Sequence, residues 1–221
     1  MKSFGFKSFC ALFLCALLLC GCSKKESETP EEGSLETSMK TPLADDEVLL
    51  QRASEQAIAR FGAEMMAALT HAVTENGPAG ALSVCNVVAP DIAVAHAREG
   101  WFLSRITKLP RNESNRASTD QEKILERFAT DSDLNFVAQW DDPETKEKFF
   151  YYKPIVMKEI CVNCHGEKSK LGDGVAEKLA ELYPSDEATG YKVGDLRGMF
   201  AVEVIWPEGK KHAEALAQPE G

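Results

Sequence analysis

The chain has 221 residues, 35 acidic side chains against 25 basic ones, and a formal net charge of -10. Its hydrophobic fraction of 44% and charged fraction of 27% are those of a globular protein and exclude a disordered or fibrous one. The acidic balance argues against nucleic-acid binding, which needs surplus cations to displace counterions from phosphates, and seven cysteines are too few for a disulfide-dense scaffold.

Lys2 and Lys7 stand before an apolar run at 8–20 that is too short to cross a bilayer comfortably. This is the pattern of a signal peptide. The run ends in Leu19-Cys20-Gly21-Cys22, which resembles a bacterial lipobox with Cys22 as the lipidated mature N-terminus. An uncleaved single-span anchor is the competing reading. Both put the rest of the chain on the periplasmic side of a bacterial membrane. Residues 23–42 are charged, rich in Pro, Ser and Thr, and nearly free of apolar groups, so they cannot offset their own ordering entropy. The expected organisation is a signal peptide at 1–21, a flexible tether at 22–42 and one folded domain at 43–221.

Residues 44–75 have a helical pattern. Leu49, Ala53, Ala57, Phe61, Met65 and Leu69 recur every four residues, widened by Ile58 and Met66. Such a stripe reads as packing against the body of the protein in preference to a cofactor wall. Asn76-Gly77-Pro78 stops the helix. Further helical segments follow at 79–88 and 91–99, separated by Ala89-Pro90, and Gly100 ends them. Residues 101–106 read as a strand, 108–119 as loop and 120–129 as a short helix. The segments 134–140 and 148–154 form a hairpin around Asp141-Asp142-Pro143-Glu144. A helix at 173–182 and a strand at 197–206 complete the pattern, and 212 falls in a polar tail. Helices first, then strands interrupted by helices, predict α+β with an antiparallel sheet.

Cys161-Val162-Asn163-Cys164-His165 is the attachment signature of a c-type haem. Two thiols on one turn can add to two vinyl groups, and the adjacent imidazole reaches the iron from the same face. A thioredoxin-like redox pair would want this motif early in a βαβ frame. A structural zinc site would need four ligands, and there is no second C-x-x-C. Once the leader cysteines, Cys22, Cys161 and Cys164 are assigned, Cys85 is the one thiol left. It is a candidate sixth ligand beside His96, Met157 and Met199, although a lone cysteine is more often a buried hydrophobe. On balance His71, His96 and His212 are taken as non-ligands, since an exposed imidazole on a helix is unremarkable for the first two.

Four segments carry a resemblance: S-V-C-N-V-V-A-P-D-I-A at 83–93, R-I-T-K-L-P-R-N-E-S-N at 105–115, K-P-I-V-M-K-E-I-C-V-N-C-H-G at 153–166, and Y-P-S-D-E-A-T-G-Y-K-V-G-D-L-R-G at 183–198. Over about 44–206 the chain resembles the family of PAS-like single-haem c-type domains, which occur as stand-alone exported proteins and as sensor domains of bacterial signalling proteins. The resemblance implies a PAS-like antiparallel sheet with flanking helices and a long N-terminal helix. It implies one covalently attached haem c, with His165 as one axial ligand of the iron and Cys85 as the other. Arg105 and Arg111, with Arg197, stand where the haem propionates would be contacted. Tyr183, Tyr191, Trp101, Phe149 and Tyr151 can line the pocket or form core. At Thr107-Lys108-Leu109-Pro110 the chain departs from the family's pattern, so no role is carried over to Lys108.

A thiolate opposite an imidazole favours ferric iron. Release of Cys85 on reduction would open a site for a small ligand. The leading expectation is therefore a non-enzymatic redox or small-ligand sensor, held at the membrane by lipid and acting on a redox or signalling protein in the periplasm. A single-electron carrier docking through its acidic surface is the alternative. A peroxidase would need a distal acid–base pair, and none is evident.

Overall fold

The computed structural model describes residues 45–218, which lie within one unit, Pro42–Gly221. The expected signal peptide, the tether and Cys22 lie outside the described residues. Helix α1 (Asp45–His96) starts with Asp45, Asp46 and Glu47, where the positive end of the helix dipole favours negative charge. It is broken at Gly77, which takes φ 69° and ψ 176°, a conformation open to glycine and costly for side chains. Separately from Gly77, which lies within the first of them, the segments Asp45–Ser83 and Val87–His96 differ in direction by 86°, while Pro90 sits inside the helix and does not end it. The last turn folds back on the first segment. The His96 ring meets Phe61 edge-on at 5.5 Å, and its Nε2 lies 3.1 Å from Glu64. His96 is thus packed in place, contrary to the exposed imidazole expected from the sequence.

Strands β1 (Trp101–Ile106), β2 (Val137–Trp140), β3 (Lys148–Val156) and β4 (Leu196–Ile205) form one sheet in the order β1-β4-β3-β2, with every neighbouring pair antiparallel. Alternation along the strands gives the sheet two apolar faces. Trp101, Leu103, Phe149, Tyr151, Val202 and Val204 meet Leu50, Ala53, Ala57 and Phe61 of α1. Tyr152, Met199 and Ala201 on the other face meet Ile124, Leu125 and Phe128 of α2 (Thr119–Thr130). Ser118 and Gln121 close the start of α2 as a reciprocal capping box. Trp101, Phe149 and Tyr151 therefore belong to the core.

Three helices follow in the second half: α3 (Glu159–His165), α4 (Val175–Leu182) and α5 (Lys210–Leu216). The last occupies what the sequence presented as a polar tail. Ala213 and Leu216 of α5 are buried, and His212 meets Trp101 at 5.3 Å. The close approach of Gly100 and Gly209 brings it there, since a Cβ on Gly100 would stand 2.6 Å from the Gly209 nitrogen. The architecture is α+β, an antiparallel sheet with flanking helices and a long N-terminal helix.

Candidate functional site

At one end of the sheet β3 and β4 run side by side through Ile155↔Gly198, and the register slips before Val156. The chain then turns. The Met157 N–H donates to Asp195 O at 2.9 Å, the Gly194 N–H donates to Met157 O at 3.0 Å, and α3 starts two residues later. This short helix places Cys161 and Cys164 one turn apart, with His165 as its last residue. Gly166 ends it where a Cβ would meet Val162 O at 2.5 Å.

Cys161, Cys164 and His165 all line one cavity of about 570 Å³. Met65, Met66, Leu69 and Leu82 of α1 form its apolar wall, closed by Ile106, Ile155 and Phe200 from the strand ends. Among the described residues four cationic ones also line it, Arg105, Arg111, Lys158 and Arg197, and no carboxylate does. The methionine-bearing stripe of α1 is therefore divided. Ala53, Ala57 and Phe61 pack on the sheet as expected, Met65 both touches that core and lines the cavity, and Met66 and Leu69 line the cavity.

His165 is prepared to act as a neutral base. Its Nδ1–H donates to the Ala188 carbonyl at 2.7 Å; a carbonyl only accepts, so the proton is on Nδ1 and the Nε2 lone pair is left for a metal. Burial pushes the imidazole pKa down to about 3, and the nearby Arg111 and Arg197 push the same way. Neither Cys161 nor Cys164 is in a disulfide. Cys164 packs beside Leu82, Val175, Leu179 and Tyr183, with its Sγ 4.0 Å from the carbonyl of Pro78, the residue after the break in α1.

Arg111 grips the Asp186 carboxylate with Nε at 3.0 Å and Nη2 at 3.2 Å, and Nη2 also donates to Cys164 O at 2.6 Å. Arg197 donates from Nη1 to Thr107 Oγ1 at 2.7 Å and lies 5.4 Å from the Tyr191 ring centre. Burial lowers its pKa. Arg105 lines both this cavity and a smaller one of about 230 Å³, which share Asn115 as well. Cys85 lies on α1 three residues after Leu82, a wall residue, and its side chain is outside those described.

The other sequence candidates separate cleanly. Met157 lines the cavity, whereas Met199 points to the α2 side of the sheet and His96 is held by Glu64 away from it. Tyr183 and Tyr191 stand behind the wall, under Arg111 and Arg197. Among the described residues no group of three or more His, Cys, Asp or Glu side chains is placed to hold a metal. Lys158, Phe200, Asp186 and Ala188 were not singled out from the sequence. Asp186 and Ala188 fall inside the fourth family-like segment, but a backbone carbonyl as acceptor leaves no mark on residue type.

No curated protein matches the chain. Among solved structures, the crystal structure of the cyanobacterial heme-protein Tll0287 shares the fold, with a TM-score of 0.56 at 24% identity, over 75% of this chain and 99% of that one. A family model described as Tll0287-like matches residues 46–204, from the first turn of α1 to the end of β4, and the chain belongs to the Tll0287-like family.

Proposed function

We propose that the chain is an exported, lipid-anchored c-type haem protein that serves as a redox or small-ligand sensor module. One observation carries the reading. The thiols and imidazole of C-x-x-C-H face a cavity that is apolar on its broad walls and, among the described residues, lined by four cations and no carboxylate. A flat apolar ring bearing two carboxylates fits such walls, because the ring is taken out of water while its anions meet guanidinium and ammonium groups. The likeness to Tll0287, a cyanobacterial heme-protein, supports the same reading.

In this reading Cys161 and Cys164 would hold the haem through thioether bonds, His165 Nε2 and Cys85 would ligate its iron, and Cys22 would carry the lipid. Bound haem would supply a redox-active iron able to take a small ligand. Arg105, Arg197 and Lys158 orient the propionates. Met65, Leu69, Leu82 and Phe200 exclude water, which favours a low dielectric around the iron and sensitivity of its potential to nearby charge. The partner is a redox or signalling protein on the periplasmic side.

The test is a purified protein matured in a host that attaches haem c. The expected result is a mass increased by one tetrapyrrole, lost in Cys161→Ser/Cys164→Ser, with a ferric spectrum altered by Cys85→Ser. Rapid carbon monoxide binding to the reduced form is expected of a sensor. A reduced form that stays six-coordinate instead marks an electron carrier, and a colourless product of unmodified mass overturns the whole reading.

A further inference from the structure

We propose that the buried Arg111–Asp186 ion pair is a positioning device that sets how strongly His165 donates to its metal. The proposal rests on the haem-binding reading and names what regulates that site's iron. The two side chains are 7% and 9% exposed, and the guanidinium meets both carboxylate oxygens. Replacing a buried pair like this with apolar groups is often neutral or stabilising, so stability alone gives it little reason to be there. Its geometry supplies one.

Asp186 holds Ala188 directly, and Arg111 lies close to its carbonyl. Asp186 Oδ1 accepts from the Ala188 N–H at 3.1 Å, and Arg111 Nη2 approaches the Ala188 carbonyl at 3.5 Å. That carbonyl is the acceptor for His165 Nδ1–H at 2.7 Å. The same Nη2 holds the carbonyl of Cys164, the residue before the histidine, at 2.6 Å. The loop runs on along the end of α3, where the Tyr191 N–H donates to His165 O at 3.0 Å and the Gly190 N–H to Gly166 O at 2.8 Å. One guanidinium thus ties the helix that carries the imidazole to the loop that carries its acceptor.

A firmly held Nδ1–H···O=C bond makes the imidazole more basic at Nε2, and a more basic ligand stabilises the higher oxidation state of the metal. The pair therefore lowers the midpoint potential through Ala188. The Arg111 charge itself disfavours positive charge on the imidazole, so the grip is tested apart from the field by Arg111→Lys, which keeps that charge.

The experiment measures midpoint potential and the solvent exchange of the His165 Nδ1–H by NMR in the reduced, haem-loaded full chain. It compares wild type with Arg111→Met/Asp186→Leu, which removes both charges together, and with Arg111→Lys, which keeps the charge but loses the two-pronged grip. The expected result is an upward shift in potential with faster Nδ1–H exchange in both variants. If the double variant fails to fold, Arg111→Lys alone decides. A coloured protein whose potential and exchange match wild type while its unfolding midpoint drops overturns the proposal and leaves the haem reading standing. A chain that carries no haem overturns both.

Discussion

The Thr107 hydroxyl donates to the Arg197 carbonyl at 2.9 Å and accepts from the Nη1 of the same arginine at 2.7 Å. Thr107 is a buried polar residue at the end of β1, next to Ile106, whose strand pairs with β4 where Arg197 sits. One side chain therefore both closes the strand ends and aims a cation along the cavity wall. Thr107→Val keeps the shape but leaves a carbonyl and a guanidinium N–H short of a partner. The expected cost is about 1–3 kcal/mol in urea unfolding, larger than the reference change Thr119→Val on the exposed start of α2.

Gly198 sits on β4 where a Cβ would collide with the Ile106 carbonyl of the neighbouring strand, with Thr107 Cβ only 3.2 Å away. Backbone cannot yield as a flexible side chain can. Gly198→Ala is expected to lower stability by about 1–3 kcal/mol and to lower the yield of haem-loaded protein, read from the Soret absorbance of protein matured in parallel with wild type.

Phe61 is 1% exposed and stands edge-on to both His96 and Phe200, at 5.5 and 6.0 Å. Phe200 lines the cavity, so Phe61 links the core to the site. Phe61→Ala should cost about 3–5 kcal/mol in a chemical denaturation experiment.

The depressed pKa of His165 gives the haem-free chain a defined acid sensitivity. Unfolded, the imidazole titrates near 6.5; folded, near 3. Between those values the unfolded state binds more protons, so stability rises with pH across the window and is lost as pH falls through it. His165→Gln should flatten this slope between pH 6.5 and 3 when unfolding free energies of the two apoproteins are compared. An unchanged slope would mean the imidazole is solvated.

Periodicity and turn chemistry made much of this fold readable. Gly100 before alternating Trp101 and Leu103 marks β1, and Asp141-Asp142-Pro143-Glu144 marks the hairpin, because both signals are local. The motif at Cys161–His165 was equally plain, since three residue types at fixed spacing reach one side of a single helical turn. What stayed hidden depends on where distant segments meet. The stripe from Ala53 to Leu69 has one period throughout, yet only the sheet's end decides which part is core and which part is cavity. Helix α5 has two buried apolar side chains in seven residues, too few to show a period. Met199 and Arg197 are two apart and point the same way from the strand, yet the first is core and the second reaches the cavity wall, a distinction of depth along the sheet that no pattern encodes.

The break at Gly77 puts the Pro78 carbonyl against the sulfur of Cys164, 86 positions later in the chain. Most of the polypeptide must be synthesised and folded before those two points can touch, and closing so long a loop is paid in entropy that only the finished packing returns. A nascent or nicked molecule would therefore leave the thiols of α3 on an open surface until the segment around Pro78 closes over them.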